Sequence, residues 1–323
     1  MTRYDIKGKN IFITGGTGFI GSWLTDLLIR HNKIWCYDNC RRISPKIKEL
    51  LSHKNFTFIK GDILDAAKLR KSVPRKTDIV FHLAAIAGVS SYYKMPFETM
   101  SVNLIGTYNM LDIFKDKRLE LFVDFSTSEV YGKYAKFVKE TDDTHQGPVS
   151  DRRWTYSTSK IAAETLSHCY HYKFGLPVAS IRPFNIYGPF QIGEGAVQIF
   201  SSKAINNEEI WINGDGSQVR AWCYVSDFID GVIGCYRNRK AAIGNTFNIG
   251  NPKSSATTLQ LAEKIISITG SSSRIRFRKM AGTDVEYRVP DISKAKKILG
   301  YSPVVGLSEG LKRTAEWYRE NPL

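Results

Sequence analysis

The stretch "YSTSK" puts Tyr156 four residues before Lys160. On a helix that spacing sets both side chains on one face. A lysine ammonium beside a phenol favours phenolate and draws the tyrosine pKa below its ordinary value of about 10. Such a tyrosine can take the proton of a hydroxyl group while the carbon bearing it gives up hydride. A second polar set, "STSEVYG", comes after an apolar run and lines up Thr127, Ser128 and Glu129. Two hydroxyls and a carboxylate at a strand mouth can orient a hydroxylated substrate and move its protons. The plainer reading is a turn hydroxyl and a salt-bridged carboxylate.

A third set, "TGGTGFIG" (14–21), spaces Gly15, Gly18 and Gly21 three apart between an apolar run and a helical one. The first glycine permits a tight turn, the second lets backbone approach a pyrophosphate, and the third lets helix pack on strand. The helix N-terminus adds free N–H groups for phosphate. Asp38 ends the next apolar run, about 20 residues on, where an acid accepts ribose hydroxyls of a dinucleotide. This favours NAD over NADP, whose 2′-phosphate the carboxylate repels; Arg41 and Arg42 stand close by and counter that preference. Asp62 closes a third run and can hold an adenine amino group or cap the helix of "ILDAAKL".

The elements that must carry these groups alternate. Segments 10–15, 33–39, 56–62, 78–85, 119–127 and 177–185 read as strands, and 19–31 has helical apolar spacing. Strands apolar throughout, with helices between them, indicate a parallel sheet covered on both faces. Right-handed crossovers make it a doubly wound α/β fold. After residue 185 Gly, Pro and Asn multiply, as in "NIYGPFQIGEGA", which suits a smaller, irregular α/β lobe for the substrate. The division expected is a dinucleotide domain over 1–180, with 223–250 returning to it, and a substrate lobe mainly over 181–323.

The formal net charge of +15 suggests anionic partners, phosphorylated small molecules included. The basic clusters 41–48 and 274–279 are short, and no zinc-finger or RNA-recognition motif accompanies them, so nucleic acid is not expected. No apolar run nears the roughly 18 residues of a membrane span. The polar start, "MTRYDIKGKN", lacks a secretory pattern, and the location expected is the cytoplasm. Five cysteines without a C-x-x-C pair argue against zinc and against a disulfide framework; no metal is expected.

Taken together, "TGGTGFIG", "HLAA" (82–85), "VNLIGTYN" (102–109), "STSEVYG", "YSTSK", "RPFNIYGP" (182–189), "GDGSQVR" (214–220) and "RVPDISKAKKILGY" (288–301) resemble the extended short-chain dehydrogenase/reductases that modify nucleotide-activated sugars. The likeness spans essentially the whole chain. It implies a Rossmann sheet, NAD as cofactor and a homodimer paired through two helices of the sheet domain. It implies cofactor contacts at Gly15, Gly18, Phe19, Ile20, Gly21, Asp38, Asn39, Asp62, Ile63, Leu83, Ala84, Ala85, Asn103, Tyr156 and Lys160. Thr127 would bond the sugar 4-hydroxyl beside Tyr156, and Lys160 would hold the nicotinamide ribose. Asn185 and Arg220 would bind the diphosphate and nucleotide, although "RAWCYV" replaces the family's frequent Arg-Asp-Phe-x-Tyr-Val around Arg220. "GEGAV" (193–197) falls where the family closes over the sugar or pyrophosphate; the bland reading is a surface loop.

The shared first event implied is oxidation at sugar C4. The second chemical step separates three outcomes. A 4-epimerase needs no further acid or base and leaves Glu129 idle. A 4,6-dehydratase needs a C5 base, which Glu129 would supply; many hexose dehydratases carry Asp where Ser128 stands, while GDP-mannose dehydratases share Thr-Ser-Glu. UDP-glucuronate decarboxylases also share it. "RRWTYSTSK" is similar to a segment of the decarboxylase of the bacterial lipid A aminoarabinose pathway, and "DVEYRVPDI" puts Arg288 where decarboxylases have an arginine acting on the carboxylate or the intermediate. In other branches that arginine binds substrate phosphate. Decarboxylation of a UDP-glucuronate-like sugar is the first expectation, with Thr127, Ser128, Glu129, Tyr156, Lys160 and Arg288 as its catalytic set. A non-catalytic NAD-sensing protein is the expectation of a different class, and the intact Tyr156 and Lys160 speak against it.

Overall fold

The computed structural model describes residues 6–279, 282–283 and 285–322; the opening "MTRYD" and Asp284 of "DVEYRVPDI" lie outside that set. The first half runs β1 (Asn10–Thr14), α1 (Phe19–Ile29), β2 (Lys33–Asp38), β3 (Phe56–Lys60), α2 (Ala66–Ser72), β4 (Ile79–His82), α3 (Val89–Lys94), α4 (Pro96–Phe114) and β5 (Leu121–Phe125). Then come β6 (Tyr134–Val138), α5 (Thr155–Phe174), β7 (Val178–Pro183), β8 (Ile186–Tyr187), α6 (Ala196–Ile205), β9 (Ile210–Asn213), β10 (Val219–Ala221) and β11 (Cys223–Tyr224). The last part holds α7 (Val225–Arg237), α8 (Arg239–Ala242), β12 (Thr246–Ile249), β13 (Ser255–Thr257), α9 (Thr258–Thr269), β14 (Ile275–Arg278), β15 (Tyr287–Pro290), α10 (Ser293–Leu299) and α11 (Leu307–Glu320).

Seven of these strands form one sheet in the order β12-β7-β5-β4-β1-β2-β3. Every pairing in it is parallel. Six are the strands expected from the sequence; β12 is the seventh. Alternate residues serve opposite faces. Ile11, Ile13, Phe81 and Val123 pack with Leu24 and Leu28 of α1 and Phe228 and Val232 of α7. Phe12, Val80, Phe122 and Val178 pack with Met110 and Phe114 of α4 and Tyr170 of α5. Burial on both faces explains why the central strands β1, β4, β5 and β7 are apolar at most positions, whereas the edge strand β3 is largely exposed. The strand order reverses between β1 and β4, and such a switch point opens a crevice at the carboxyl ends of the strands.

A second, four-stranded sheet has the order β13-β10-β15-β6. Its register sets Arg220 of β10 beside Arg288 of β15, and Arg288 beside Ala135 of β6. Because β6 comes after β5 with one short turn between them, this sheet hangs over the carboxyl end of the main one. A bidentate ion pair on the other side, Glu164 of α5 with Arg182 of β7 at 2.8 and 3.0 Å, fixes α5 against the main sheet. No helix among the described residues is long and apolar enough to cross a membrane.

Candidate active site

Beyond Phe125 the chain leaves the sheet, and Thr127 holds extended backbone at the head of a short helical turn, Ser128–Tyr131. Its hydroxyl accepts the Glu129 N–H at 3.2 Å, the usual work of a threonine at a helical start. Val130 and Tyr131 are buried, and the Tyr131 hydroxyl donates to Asn248 at 2.8 Å, so the turn is pinned from below. The expected turn at "STSEVYG" is therefore real, and its polar tips face two cavities.

Tyr156 stands in the first turn of α5 with Lys160 one turn further on, as the spacing predicts. Its ring stacks on Tyr92 with centroids 6.2 Å apart. Tyr156 and Thr127 both line the larger cavity. The expectation that Lys160 lowers the phenol pKa is not met in the chain alone. Burial, reinforced by the Glu129 charge, pushes the phenol up to about 12 against the pull of the Thr127 hydroxyl and Arg288. Lys160 is itself buried, which lowers its pKa, and the charges that oppose this are Asp124 and Glu164. Burial likewise pushes the Asp124 carboxyl up, against the pull of Lys160.

Glu129 meets two guanidinium groups. Arg153 Nη1 donates to its Oε2 at 2.7 Å, and Arg288 Nη1 lies 2.9 Å from its Oε1. Burial favours the neutral acid, but Arg288 and Arg153 outweigh it and hold the pKa down at about 2. Glu129, Arg153, Arg288, Arg220 and Asn185 line a cavity of about 320 Å³, together with Tyr93, Tyr187 and Trp222. The "GEGAV" loop closes one side of it through Glu194, Gly195, Ala196 and Val197. Three arginines against two carboxylates make this cavity a cationic one. Arg288 adds a specific deficit: its Nε and Nη2 are buried with no hydrogen-bond partner among the described residues. Asn185 takes a left-handed backbone, φ 44°, and spends its amide on the Ala221 carbonyl at 3.1 Å. Ser128 is buried and lines neither cavity.

The larger cavity, about 410 Å³, lies at the switch point. Gly15, Gly18, Phe19, Ile20, Gly21, Asp38, Asn39, Ile63, Leu83, Ala84 and Ala85 line it, joined by Arg41 and Arg42. Gly15 has φ 70°, and a Cβ there would stand 2.7 Å from the Ala84 nitrogen. A Cβ on Gly21 would overlap the Gly15 carbonyl oxygen. The loop therefore presents bare backbone at the start of α1, as a pyrophosphate requires. Asp38 accepts the Thr17 N–H at 3.0 Å on one oxygen and the Cys40 N–H at 2.8 Å on the other. A carboxylate has about four acceptor sites, so two remain for ribose hydroxyls. These residues fit a dinucleotide.

Three positions expected to touch the cofactor, Asn103, Asp62 and Lys160, are not among the residues that line this cavity. Asn103 holds the Ile86 backbone from both sides, at 2.8 and 3.1 Å, and so shapes the cleft wall. Asp62 ties Asn39 to the Leu64 N–H, while Asp65, not Asp62, caps α2. Lys160 lies beneath Tyr156. Arg153, Tyr92 and Gln191 join the site without having been expected there. Arg153 had a signal, since it stands three residues before Tyr156 and so one turn away. Gln191 and Ile186 line both cavities and mark their junction; nothing in the local sequence announces that.

A tyrosine that lines a dinucleotide cleft and feels the charges of Glu129 and Arg288 in an adjoining cationic cavity marks a dinucleotide-dependent enzyme. Residues 11–250 match the model of the NAD dependent epimerase/dehydratase family, and the chain belongs to that family. The UDP-N-acetyl-alpha-D-glucosaminuronate decarboxylase of Bacillus cytotoxicus is 36% identical over 324 residues, covering 97% of this chain and 98% of the relative. The UDP-glucuronic acid decarboxylase 1 of Danio rerio is 35% identical over 315 residues, 96% of this chain and 72% of that one. The structure of UDP-glucuronic acid 4-epimerase from Bacillus cereus, in complex with UDP-glucuronic acid and NAD, superposes with a TM-score of 0.87 at 33% identity, covering 96% of this chain and 99% of that one. The chain is thus an NAD-dependent enzyme.

Proposed function

We propose that the enzyme decarboxylates a nucleotide-linked uronic acid, of which UDP-glucuronate is the type. The observation that carries this reading is Arg288, a buried guanidinium on the cavity wall with Nε and Nη2 unpartnered among the described residues. Buried donors left without acceptors are costly, and a planar carboxylate is the acceptor that fits a guanidinium edge. The Bacillus cytotoxicus and Danio rerio relatives are both decarboxylases of nucleotide-linked uronic acids by name.

NAD, held by the glycine loop and Asp38, would supply the hydride acceptor for sugar C4. Thr127 orients the C4 hydroxyl, and Tyr156 takes its proton and gives it back. Lys160 keeps a positive charge behind Tyr156. A ketone at C4 makes the C6 carboxylate that of a β-keto acid. The C5–C6 bond then breaks, its electron pair passes to the C4 oxygen as enolate, carbon dioxide leaves and the enolate takes a proton from water at C5. Arg288 holds the carboxylate before the break and stabilises the enolate after it. Asn185 and Arg220 take the diphosphate side. The elimination reading asks Glu129 to be a base, and a carboxylate held at about 2 is a weak one.

The test is mass spectrometry of products from UDP-glucuronate and from UDP-, GDP-, CDP- and TDP-hexoses with NAD. Loss of carbon dioxide from the uronic acid is expected. Loss of water from a hexose would make the enzyme a 4,6-dehydratase, and an unchanged mass with a new isomer by NMR a 4-epimerase. We further propose that it works as a homodimer in the cytoplasm. Five unpaired thiols suit a reducing compartment. Exposed apolar residues along α4 and α5, Phe97, Ile105, Tyr108, Tyr172 and Phe174, supply a face for a second copy.

A further inference from the structure

Glu129 is caught between two arginines in unlike settings. Arg153 is fixed in place: it is 6% exposed, and its guanidinium lies 5.3 Å from the ring centres of both Tyr92 and Trp154. Its backbone N–H donates to Asp151 at 2.9 Å. Arg288 is 5% exposed but uses only Nη1 on Glu129, and its Nε and Nη2 have no partner among the described residues. Those two nitrogens form one edge of the guanidinium, the edge that a carboxylate engages with two parallel hydrogen bonds.

We propose that Arg153 is a positioning residue: it binds one oxygen of Glu129, restricts Glu129 to a single-point contact with Arg288, and so reserves the Nε–Nη2 edge of Arg288 for the substrate carboxylate. This rests on the uronic acid reading. A carboxylate with both oxygens free gains most by closing a fork on one guanidinium. Arg153 Nη1 holds Oε2 at 2.7 Å, which leaves Oε1 alone for Arg288. Remove Arg153, and Glu129 can swing both oxygens onto Arg288 and occupy the edge the substrate needs. The aromatic rings around Arg153 serve the same end, since an anchored cation does not move with its partner. Glu129 is then an internal competitor for the substrate's carboxylate, held off by Arg153.

The measurement is calorimetric binding of UDP-glucuronate and of UDP-xylose, which lacks the carboxylate, to NAD-loaded protein in a Tyr156→Phe background that stops turnover. The parent is expected to prefer UDP-glucuronate. Arg153→Met is expected to cut that preference by at least about tenfold, the scale of a charge-assisted hydrogen bond. UDP-xylose affinity should stay within about twofold. Adding Glu129→Gln to Arg153→Met removes the competitor and should restore the preference, which a merely structural role for Arg153 would not do. An undiminished preference in Arg153→Met, or one that Glu129→Gln fails to restore, overturns the role of Arg153 and leaves the uronic acid reading standing. A parent without preference overturns that reading and this inference with it. If Arg153→Met does not bind NAD, Arg153→Gln, which keeps the length and loses the charge, is judged on the same ratio.

Discussion

At the scale of single residues, charge placement decides what each group can do. Tyr156 is neutral in the chain alone, because burial and the Glu129 charge push its pKa up to about 12. It therefore needs added positive charge before it can accept a proton, and an oxidised nicotinamide carries one. Tyr156→Phe is expected to cut turnover by about 10²–10⁴-fold, the usual worth of a positioned acid-base group. NAD titration by fluorescence should be unchanged; retained turnover would remove Tyr156 from the chemistry. Glu129 makes a separate prediction about stability. Its pKa falls from an ordinary 4.5 to about 2 on folding. A depressed carboxylate adds stability that is present above pH 4.5 and lost as pH falls towards 2. In urea unfolding the wild type should exceed Glu129→Gln in stability at pH 5, and the gap should narrow towards pH 2. A gap that does not vary with pH would show that Glu129 is not held ionised by Arg153 and Arg288.

At the scale of elements, the site is built from places where strands end. β1, β4 and β5 stop at Thr14, His82 and Phe125, and the residues just past them form the cofactor cleft and the catalytic turn. The glycine loop tolerates no side chain where it crosses Ala84. Gly15→Ala adds a Cβ 2.7 Å from a backbone nitrogen and forces an alanine to φ 70°. A loss of about 1–3 kcal/mol is expected from backbone strain and clash, read as a lower thermal midpoint together with weaker NAD binding. An unchanged midpoint would mean that the loop yields. α5 carries three charged or phenolic groups in register: Tyr156 and Lys160 one turn apart, and Glu164 one turn beyond, with Glu164 locked to Arg182. One helix thus carries Tyr156, Lys160 and the Glu164 that anchors it.

At the scale of the whole molecule, two sheets with different jobs serve two cavities that adjoin at Ile186 and Gln191. The seven-stranded sheet offers the dinucleotide cleft, and the four-stranded sheet brings Arg220 and Arg288 side by side on the wall of the adjoining cationic cavity. On the opposite flank, α4 and α5 leave an aromatic face open: Tyr108 meets Tyr170 at 6.4 Å, and Tyr170 meets Phe174 at 5.1 Å. We expect light scattering at micromolar concentration to give the mass of a dimer. A double substitution, Ile105→Glu with Tyr108→Glu, should lower it to that of the monomer with NAD binding intact. A wild-type monomer would refute the pairing.

Features that depend on neighbours along the chain could be read before any fold was known. Apolar runs, glycine spacing and the Tyr156–Lys160 interval obey local rules of strand, turn and helix, so the sheet, the glycine loop and the helix carrying Tyr156 and Lys160 were legible in the sequence. The Thr127–Glu129 set was legible as a polar strand end, though not what it faces. The electrostatics emerged from contacts between distant parts of the chain. Arg153, Glu129 and Arg288 lie far apart in the chain, and β-strand register alone brings Arg288 to Glu129. Nearness of Lys160 in sequence argues for a depressed Tyr156 phenol; burial reverses the direction, and burial is a property of the folded whole. The likeness to the family implies cofactor contacts at Asp62 and Asn103; neither lines the cleft, and their side chains engage Asn39 and the Ile86 backbone, because a motif fixes the backbone path and packing fixes where the side chain points.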